Sequence, residues 1–237
     1  MDDAGAARAA ALSAVAALDE PTRRRLYDFV VRQAGPVGRD EVAAATRVAR
    51  ATVAFHLDKL VDEGLLDVAY ERRSGRTGPG AGRPAKLYRR SGQQWTVSLP
   101  ERQYDLAGHL LAAALEEADR SGEPPRPILR RRARELGERL GEAAARVARP
   151  DAGGTDAAMA ALERHGFEPR PEGGDVVLVN CPFHRLARSH TELVCGMNLS
   201  LVDGLLSRLG DTGLGARLDP GPGRCCVRLT PERGGST

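Results

Sequence analysis

Residues 48–66 read VARATVAFHLDKLVDEGLL, and this stretch decides the fold of the N-terminal part of the chain. Its apolar residues recur at the spacing of one helix face: Val53, Leu57, Leu60 and Val61. Arg50, Thr52, Phe55, His56 and Lys59 are predicted on or beside the other face of the same helix, and His56 borders the apolar stripe. The pattern therefore predicts an amphipathic helix with one side in a core and the other side free to contact a partner.

Two shorter helices are predicted upstream of this one. Residues 40–45 (DEVAAA) predict a short helix, and residues 46–48 predict a tight turn between the two. Before them, Asp19 is expected to cap a helix that has Pro21 in its first turn and that stops by Gly35. Helix, tight turn and second helix is the arrangement that places the second helix in the major groove of DNA. The sequence therefore predicts a small helical core with a DNA-reading helix.

A basic hairpin is predicted after the reading helix. Gly64 is expected to end the helix in the left-handed conformation, and residues 65–70 and 87–90 are expected to pair as strands. Residues 71–90 carry seven basic residues and one acid, a local charge of +6, whereas the whole chain has a net charge of +3. Such a concentration of charge favours binding to phosphates. The predicted DNA contacts are Arg50, Thr52, His56 and Lys59 on the helix and Arg72, Arg73, Arg76, Arg83 and Lys86 on the hairpin.

Residues 17–90 resemble the winged-helix domain of ArsR-type bacterial repressors. The resemblance rests on LDEPTRRRLYDFV, on TVAFHLDKLVDEGLL and on GRPAKLY in the returning strand of the hairpin. GRPAKLY is also similar to the returning strand in a subgroup that carries a cysteine-containing C-terminal sensor. The resemblance implies a winged helix-turn-helix that binds double-stranded DNA. Because one reading helix covers few base pairs, a homodimer on an inverted repeat is expected.

The remainder of the chain predicts an α+β protein in three segments. These are a winged-helix domain (1–95), a helical linker or dimerisation region (96–150) and a small α+β sensor domain (151–237). The middle segment is expected to hold a short strand or an extended link at 95–99 and helices at 100–118 and 128–147. An apolar side on the first of these helices favours dimerisation and is formed by Leu106, Leu110, Leu111 and Leu115. The last segment is expected to run helix, hairpin, helix, hairpin, at 156–165, 167–171 with 175–180, 192–209, and 216–218 with 224–229.

Composition indicates a cytoplasmic protein without membrane association. No apolar run approaches the roughly 20 residues that span a bilayer. The N-terminus has Asp2, Asp3 and Arg8 within its alanine-rich run, which is not the pattern of a signal peptide. In a reducing compartment, the four cysteines favour free thiols, metal ligands or redox sensing over structural disulfides.

The cysteines are predicted to meet in the last segment. Cys181 ends a predicted strand, Cys195 lies in the following helix, and the pair Cys225-Cys226 is expected within the last strand. Alternation along that strand would turn Cys225 inward and Cys226 to the opposite face. Three thiols are therefore expected to converge, with His184 or His190 as a fourth metal ligand. The alternative is that the cysteines are ordinary core residues, since the chain has no CxxC motif.

The same residues resemble the sensor of winged-helix repressors of iron–sulfur assembly operons. The resemblance rests on Cys181-Pro182, on Cys195 and on Gly223-Arg224-Cys225. It implies an iron–sulfur cluster bound by Cys181, Cys195 and Cys225, with His184 as a candidate fourth ligand and zinc as the alternative metal. The separation of the first two cysteines departs slightly from that group, and a further cysteine motif before Cys181 is missing.

Three functions follow as hypotheses. The first is a DNA-binding transcriptional regulator, expected to be a repressor, that senses iron–sulfur, metal or redox state. The second is a winged-helix repressor that responds to a small apolar molecule and whose cysteines only pack. The third is an enzyme with a vestigial winged helix that uses Cys181 and a histidine. A non-enzyme is expected, because the chain has neither a G-x-S-x-G nor an H-E-x-x-H motif.

Overall fold

The computed structural model describes residues 3–71, 84–148, 153–221 and 223–232. The chain divides into two compact units, Met1–Val97 and Ser98–Thr237. This division differs from the three segments expected from the sequence, because the central helices share a core with the C-terminal residues. Within the described residues, no helix is long and apolar enough to cross a membrane.

The first unit is a set of helices beside a small antiparallel sheet. Its elements are α1 (Asp3–Ala17), α2 (Pro21–Val31), β1 (Val37–Gly38), α3 (Arg39–Thr46), α4 (Arg50–Asp62), β2 (Leu66–Glu71) and β3 (Ala85–Arg90). The sheet has the order β1-β3-β2, and Leu66 pairs with Arg90 across the predicted hairpin. The described part of the unit therefore has the helices and the hairpin that the sequence predicts, with β1 and α1 in addition.

Two residues with positive φ determine how the chain leaves α3 and α4. Arg47 has a φ of 56° and Gly64 a φ of 69°, so both turn the chain through the left-handed region at the ends of α3 and α4. The predicted cap of α2 is wrong by one residue. The carboxylate of Glu20, in place of that of Asp19, accepts hydrogen bonds from the backbone N–H groups of Thr22 and Arg23 at 2.9 and 2.5 Å.

The second unit combines five helices and a four-stranded antiparallel sheet in its described residues. Its elements are α5 (Tyr104–Ser121), α6 (Pro125–Val147), α7 (Gly154–Glu163), β4 (Pro169–Glu172), β5 (Asp175–Leu178), α8 (His184–Ser189), α9 (Thr191–Leu206), β6 (Leu214–Leu218) and β7 (Val227–Pro231). The strand order is β4-β5-β7-β6. Residues 95–99 are not a strand, α8 was not predicted, and β7 begins at Val227, three residues later than expected.

Close contact between α6 and α9 joins the central helices to the rest of this unit. A Cβ atom added at Gly137 would lie 2.0 Å from the backbone oxygen of Leu201, and one added at Gly204 would lie 2.2 Å from that of Arg134. The two backbones therefore touch where glycine leaves room. Ile128, Leu129 and Ala133 of α6 are buried in the same core as the apolar residues of α9.

Candidate DNA-binding surface and thiol site

Helix α4 has the two sides that its sequence predicts. Val53, Leu57 and Leu60 are fully buried, whereas Arg50 and Thr52 are exposed. Phe55 is 65% exposed. The exposed side of α4 therefore presents polar groups and one aromatic ring to solvent, as a DNA-reading helix requires.

Two of the predicted DNA contacts on α4 lie in ion pairs within the unit. Arg50 is paired with Asp40 of α3, and both side chains are largely exposed. Lys59 Nζ lies 2.5 Å from Glu63 Oε1, one helical turn away. An exposed pair such as Arg50–Asp40 contributes roughly 0–1 kcal/mol, so Arg50 is available to exchange its carboxylate for a phosphate, whereas the carboxylate that holds Lys59 is mostly buried.

His56, which the sequence predicts as a DNA contact bordering the apolar stripe, lies on the core side of α4. It is only 9% exposed, and its Nε2 lies 3.6 Å from the carboxylate of Glu20. Its Nδ1 accepts a hydrogen bond from Arg23 Nε at 3.5 Å. The buried side of α4 therefore includes His56 in addition to the predicted apolar residues. Through these two contacts, His56 joins α4 to the start of α2. This position does not favour a base contact by His56.

Asp58, which the sequence pattern did not single out, joins three elements of the first unit. Its carboxylate accepts hydrogen bonds from Arg39 Nη2 at 2.8 and 3.0 Å, from Lys86 Nζ at 2.6 Å and from Tyr88 Oη at 2.7 Å. Arg39 opens α3, Asp58 lies on α4, and Lys86 and Tyr88 lie on β3. The reading helix is therefore tied to the returning strand of the hairpin. We call these four residues the Asp58 cluster.

The contacts of the Asp58 cluster keep the carboxylate of Asp58 ionised. Partial burial opposes ionisation of Asp58, but the hydrogen bonds from Lys86 and Tyr88 and the charge of Arg39 outweigh it and lower the pKa of the carboxyl below its ordinary value. Lys86 is the one predicted DNA contact in this cluster. The ammonium group of Lys86 forms an ion pair with Asp58, so its main contact lies within the first unit.

The other predicted contacts of the hairpin, Arg72, Arg73, Arg76 and Arg83, lie outside the described residues and stay predictions. Arg89 and Arg90, at the C-terminal end of β3, are exposed.

The second unit brings all four cysteines together. Cys181, Cys195 and Cys225 are buried, and Cys226 is half-buried. Cys225 interacts with Cys181 and Cys226, and Cys195 interacts with Cys226. The expectation that Cys226 points away is wrong. The pair precedes β7, so strand alternation does not govern its side chains. We call these four residues the thiol site.

Three N–H groups point at sulfur in this site. Asn198 Nδ2 donates to Cys225 Sγ at 3.3 Å, the backbone N–H of Val227 lies 3.5 Å from the same sulfur, and the backbone N–H of Phe183 donates to Cys181. Asn198 is fully buried, and its Oδ1 has no hydrogen-bond partner among the described residues. Asn198 follows Cys195 by three positions on α9, a helical spacing that was visible in the sequence but was not used.

Cys181, Cys195 and Cys225 are held in their neutral form. Contact with Cys225 and burial raise the pKa of Cys181 far above its ordinary value. Contact with Cys181 lowers the pKa of Cys225, but contact with Cys226 and burial outweigh it and raise that pKa to about 12. Burial likewise raises the pKa of Cys195. Because the thiolate is the nucleophile, these shifts do not favour cysteine catalysis.

The predicted histidine ligands stand apart from the buried thiols. His184 begins α8 and His190 precedes α9, and both side chains are exposed. The thiols contact one another in pairs, and the part of the chain that the structure describes has no three Cys, His, Asp or Glu side chains already arranged to hold a metal ion.

The second unit also has an open cavity of about 370 Å³. Charged residues line much of it, among them Arg134, Asp203, Asp211 and Glu232. This lining does not suit the small apolar effector of the second hypothesis, because an apolar ligand gains from apolar walls.

Comparison with known proteins concerns the first unit. A family profile described as a helix-turn-helix domain matches residues 18–69. No curated protein and no solved structure gives a significant match. The matched residues include α2, α3 and α4, whose geometry is described above, and they indicate a DNA-binding regulator.

Proposed function

We propose that the chain is a homodimeric transcriptional repressor of the ArsR type that binds an inverted repeat in double-stranded DNA and senses iron–sulfur, metal or redox state through its thiol site. The observation that carries the DNA-binding part is the match to a helix-turn-helix domain at residues 18–69. The observation that supports the sensing part is the meeting of four thiols from separate segments of the second unit.

The exposed side of α4 supports base reading. Arg50 and Thr52 lie near the N-terminal end of the helix and are exposed, and residues in this part of a reading helix contact base edges. The basic hairpin supplies charge for the phosphates. Two copies related by a two-fold axis would read two half-sites whose centres lie about one or two helical turns of DNA apart.

Sulfur is the donor type that a soft metal or an iron–sulfur cluster prefers, and the thiols would have to rearrange to bind either one. Sulfur ligands suit both groups, and N–H donors directed at Cys225 and Cys181 stabilise the thiolates that such ligands must become. Cys181, Cys195 and Cys225 are the proposed ligands. When bound, an iron–sulfur cluster would supply lability to oxygen and to iron loss. Binding would release the thiol protons and tie α9 to the turn before β7.

Two measurements test this function. Selection from random duplexes, followed by fluorescence anisotropy, should give an inverted repeat that the dimer binds more tightly than unrelated DNA. Anaerobic purification, followed by absorption spectroscopy and assays of iron, sulfide and zinc, should find a stoichiometric metal or cluster whose removal changes the DNA affinity. Protein that has neither metal nor cluster, even after anaerobic reconstitution, would refute the sensing part. Absence of a preferred DNA sequence would refute the reading part.

A further inference from the structure

We infer that α4 recognises thymine through its C5-methyl group, which packs in the major groove against the ring of Phe55 and the methyl groups of Ala51 and Thr52. This inference rests on the proposed function, which assigns base reading to Arg50 and Thr52 and gives Phe55 no part. It names the base that the exposed side of α4 selects. We call Ala51, Thr52 and Phe55 the apolar strip.

The three residues of the apolar strip lie on the exposed side of α4. Phe55 follows Ala51 by four positions and Thr52 by three, so both lie beside it on the helix surface. All three are exposed, and Phe55 is the largest of them. Val53 and Leu57 of the same helix are fully buried, so the strip faces away from the core. The N-terminal half of α4 therefore presents apolar groups to whatever it contacts.

The ring of Phe55 is held in place by a buried neighbour. Its centroid lies 5.2 Å from that of the His56 ring, and the two planes meet at 66° in an edge-to-face arrangement. His56 Nε2 in turn lies 3.6 Å from the carboxylate of Glu20, and His56 Nδ1 accepts a hydrogen bond from Arg23. A side chain that is already positioned loses less entropy when it contacts a ligand. His56 therefore supports the apolar strip from the core side.

The composition of α4 indicates which base suits the apolar strip. The helix reads RATVAFHLDKLVD and contains neither Asn nor Gln, the side chains that form paired hydrogen bonds with adenine. Ala, the methyl group of Thr, and Phe are instead the groups that make apolar contact with the thymine methyl in the major groove. We therefore expect A·T pairs to be read on this helix through thymine and not through adenine.

The charges of α4 favour approach of the same half of the helix to DNA. The carboxylate of Asp58 is occupied by Arg39 and Lys86. Asp62, the other acid of α4, is exposed at the C-terminal end, whereas Arg50 is exposed at the N-terminal end. Phosphates are attracted to the end with Arg50 and repelled from the end with Asp62. The N-terminal residues of a reading helix are also the ones that contact base edges.

The experiment uses the full-length protein, fluorescence anisotropy and the preferred duplex found by selection. Each thymine of the half-site is replaced in turn by deoxyuridine, which keeps the O4 acceptor and lacks the C5-methyl group. At one position or more, the wild-type affinity should fall about fourfold when one half-site is changed and about 16-fold when both are changed. These are the effects of removing one buried methyl group from each half-site.

Phe55→Ala should bind the thymine-containing duplex about 16-fold more weakly than wild type, because both copies in the dimer lose the contact. Deoxyuridine at the sensitive position should then cause no further loss, since the methyl group has already lost its partner. Tyr70→Ala is the matched control. Tyr70 is as exposed as Phe55, at 65%, but lies on β2, so its removal should leave the deoxyuridine effect unchanged. Thermal unfolding checks that both variants fold.

Three results would overturn the inference and leave the proposed function standing. The first is a selected half-site without thymine, the second is a preferred duplex whose affinity is unchanged by deoxyuridine at every thymine, and the third is a Phe55→Ala variant that keeps the full deoxyuridine effect. Wild-type protein with no preferred duplex would refute the reading part of the proposed function, and the inference with it.

Discussion

Replacing Asp58 by Asn separates positioning from simple electrostatics at the DNA-binding surface. The substitution keeps the size of the side chain but removes the charge that accepts hydrogen bonds from Arg39, Lys86 and Tyr88. A charge-assisted hydrogen bond contributes roughly 1.5–3 kcal/mol when buried, and exposed pairs contribute about 0–1 kcal/mol. Because the Asp58 side chain is 42% exposed, we expect the free energy of unfolding to fall by a total of about 1–2 kcal/mol.

The same substitution should weaken specific DNA binding. A loss of about 1–2 kcal/mol corresponds to a factor of roughly 5–30, which is the upper limit on the fall in affinity if α4 and β3 must be held together to bind. Electrostatics alone predicts the opposite, because removal of a negative charge beside DNA should strengthen binding to any sequence. Asp62→Asn is the matched control, since Asp62 is exposed on the same helix.

The assay is fluorescence anisotropy with the preferred duplex and with an unrelated duplex at one salt concentration. Asp58→Asn should lose affinity for the preferred duplex and keep its affinity for the unrelated one, while Asp62→Asn should keep or raise both. Equal or tighter binding of the preferred duplex by Asp58→Asn would refute the positioning role. The stability difference from wild type should persist through neutral pH and shrink only as pH falls below the ordinary carboxyl value of 3.8, because the pKa of Asp58 is lowered when folded.

Three further substitutions test separate parts of the chain. Triple alanine replacement in the basic hairpin should weaken binding to all sequences and flatten its salt dependence, and an unchanged slope of affinity against salt would count against phosphate contacts by Arg72, Arg73 and Arg76. Gly204→Ala should lower the melting temperature of the second unit, because the added Cβ would lie 2.2 Å from the α6 backbone and overpacking costs about 1–3 kcal/mol. Gly108→Ala is the control and should be neutral or stabilising, because the space around Gly108 is open. Glu20→Ala should lower the denaturant midpoint of the first unit through loss of the α2 cap, and an unchanged midpoint would show that the cap contributes little.

The sequence predicted α4 well, because the spacing of apolar residues and the glycine that ends the helix both lie within the segment itself. The spacing of Val53, Leu57 and Leu60 fixes the buried side of α4, and Gly64 ends the helix as expected. His56 was misplaced because the width of a buried stripe depends on what packs against it, here the start of α2. Such tertiary neighbours are not visible in helical periodicity.

Polar contacts between residues far apart in the chain could not be predicted from the sequence for the same reason. Asp58 meets Lys86 across 28 positions of chain, and no spacing rule connects a helix residue to a distant strand. Cys226 was misjudged because the pattern placed it inside a strand that begins only at Val227, three residues later than expected. Alternation does not assign the direction of a side chain that lies outside the strand. Asn198, by contrast, was predictable from its helical spacing to Cys195.

Packing between α9 and α6 determines which parts of the second unit would move after a change at the thiol site. Cys195 and Asn198 lie on α9, and further along the same helix Leu201 and Leu205 have their backbones against glycines of α6. A Cβ added at Gly141 would lie 2.3 Å from the oxygen of Leu205, so this contact has no space for sliding without a matching shift of α6. Closely packed helices move between discrete arrangements and do not deform gradually. A ligand that displaces α9 at its cysteine end would therefore move α6 with it, which gives the proposed sensor a physical route from sulfur chemistry to the central helices.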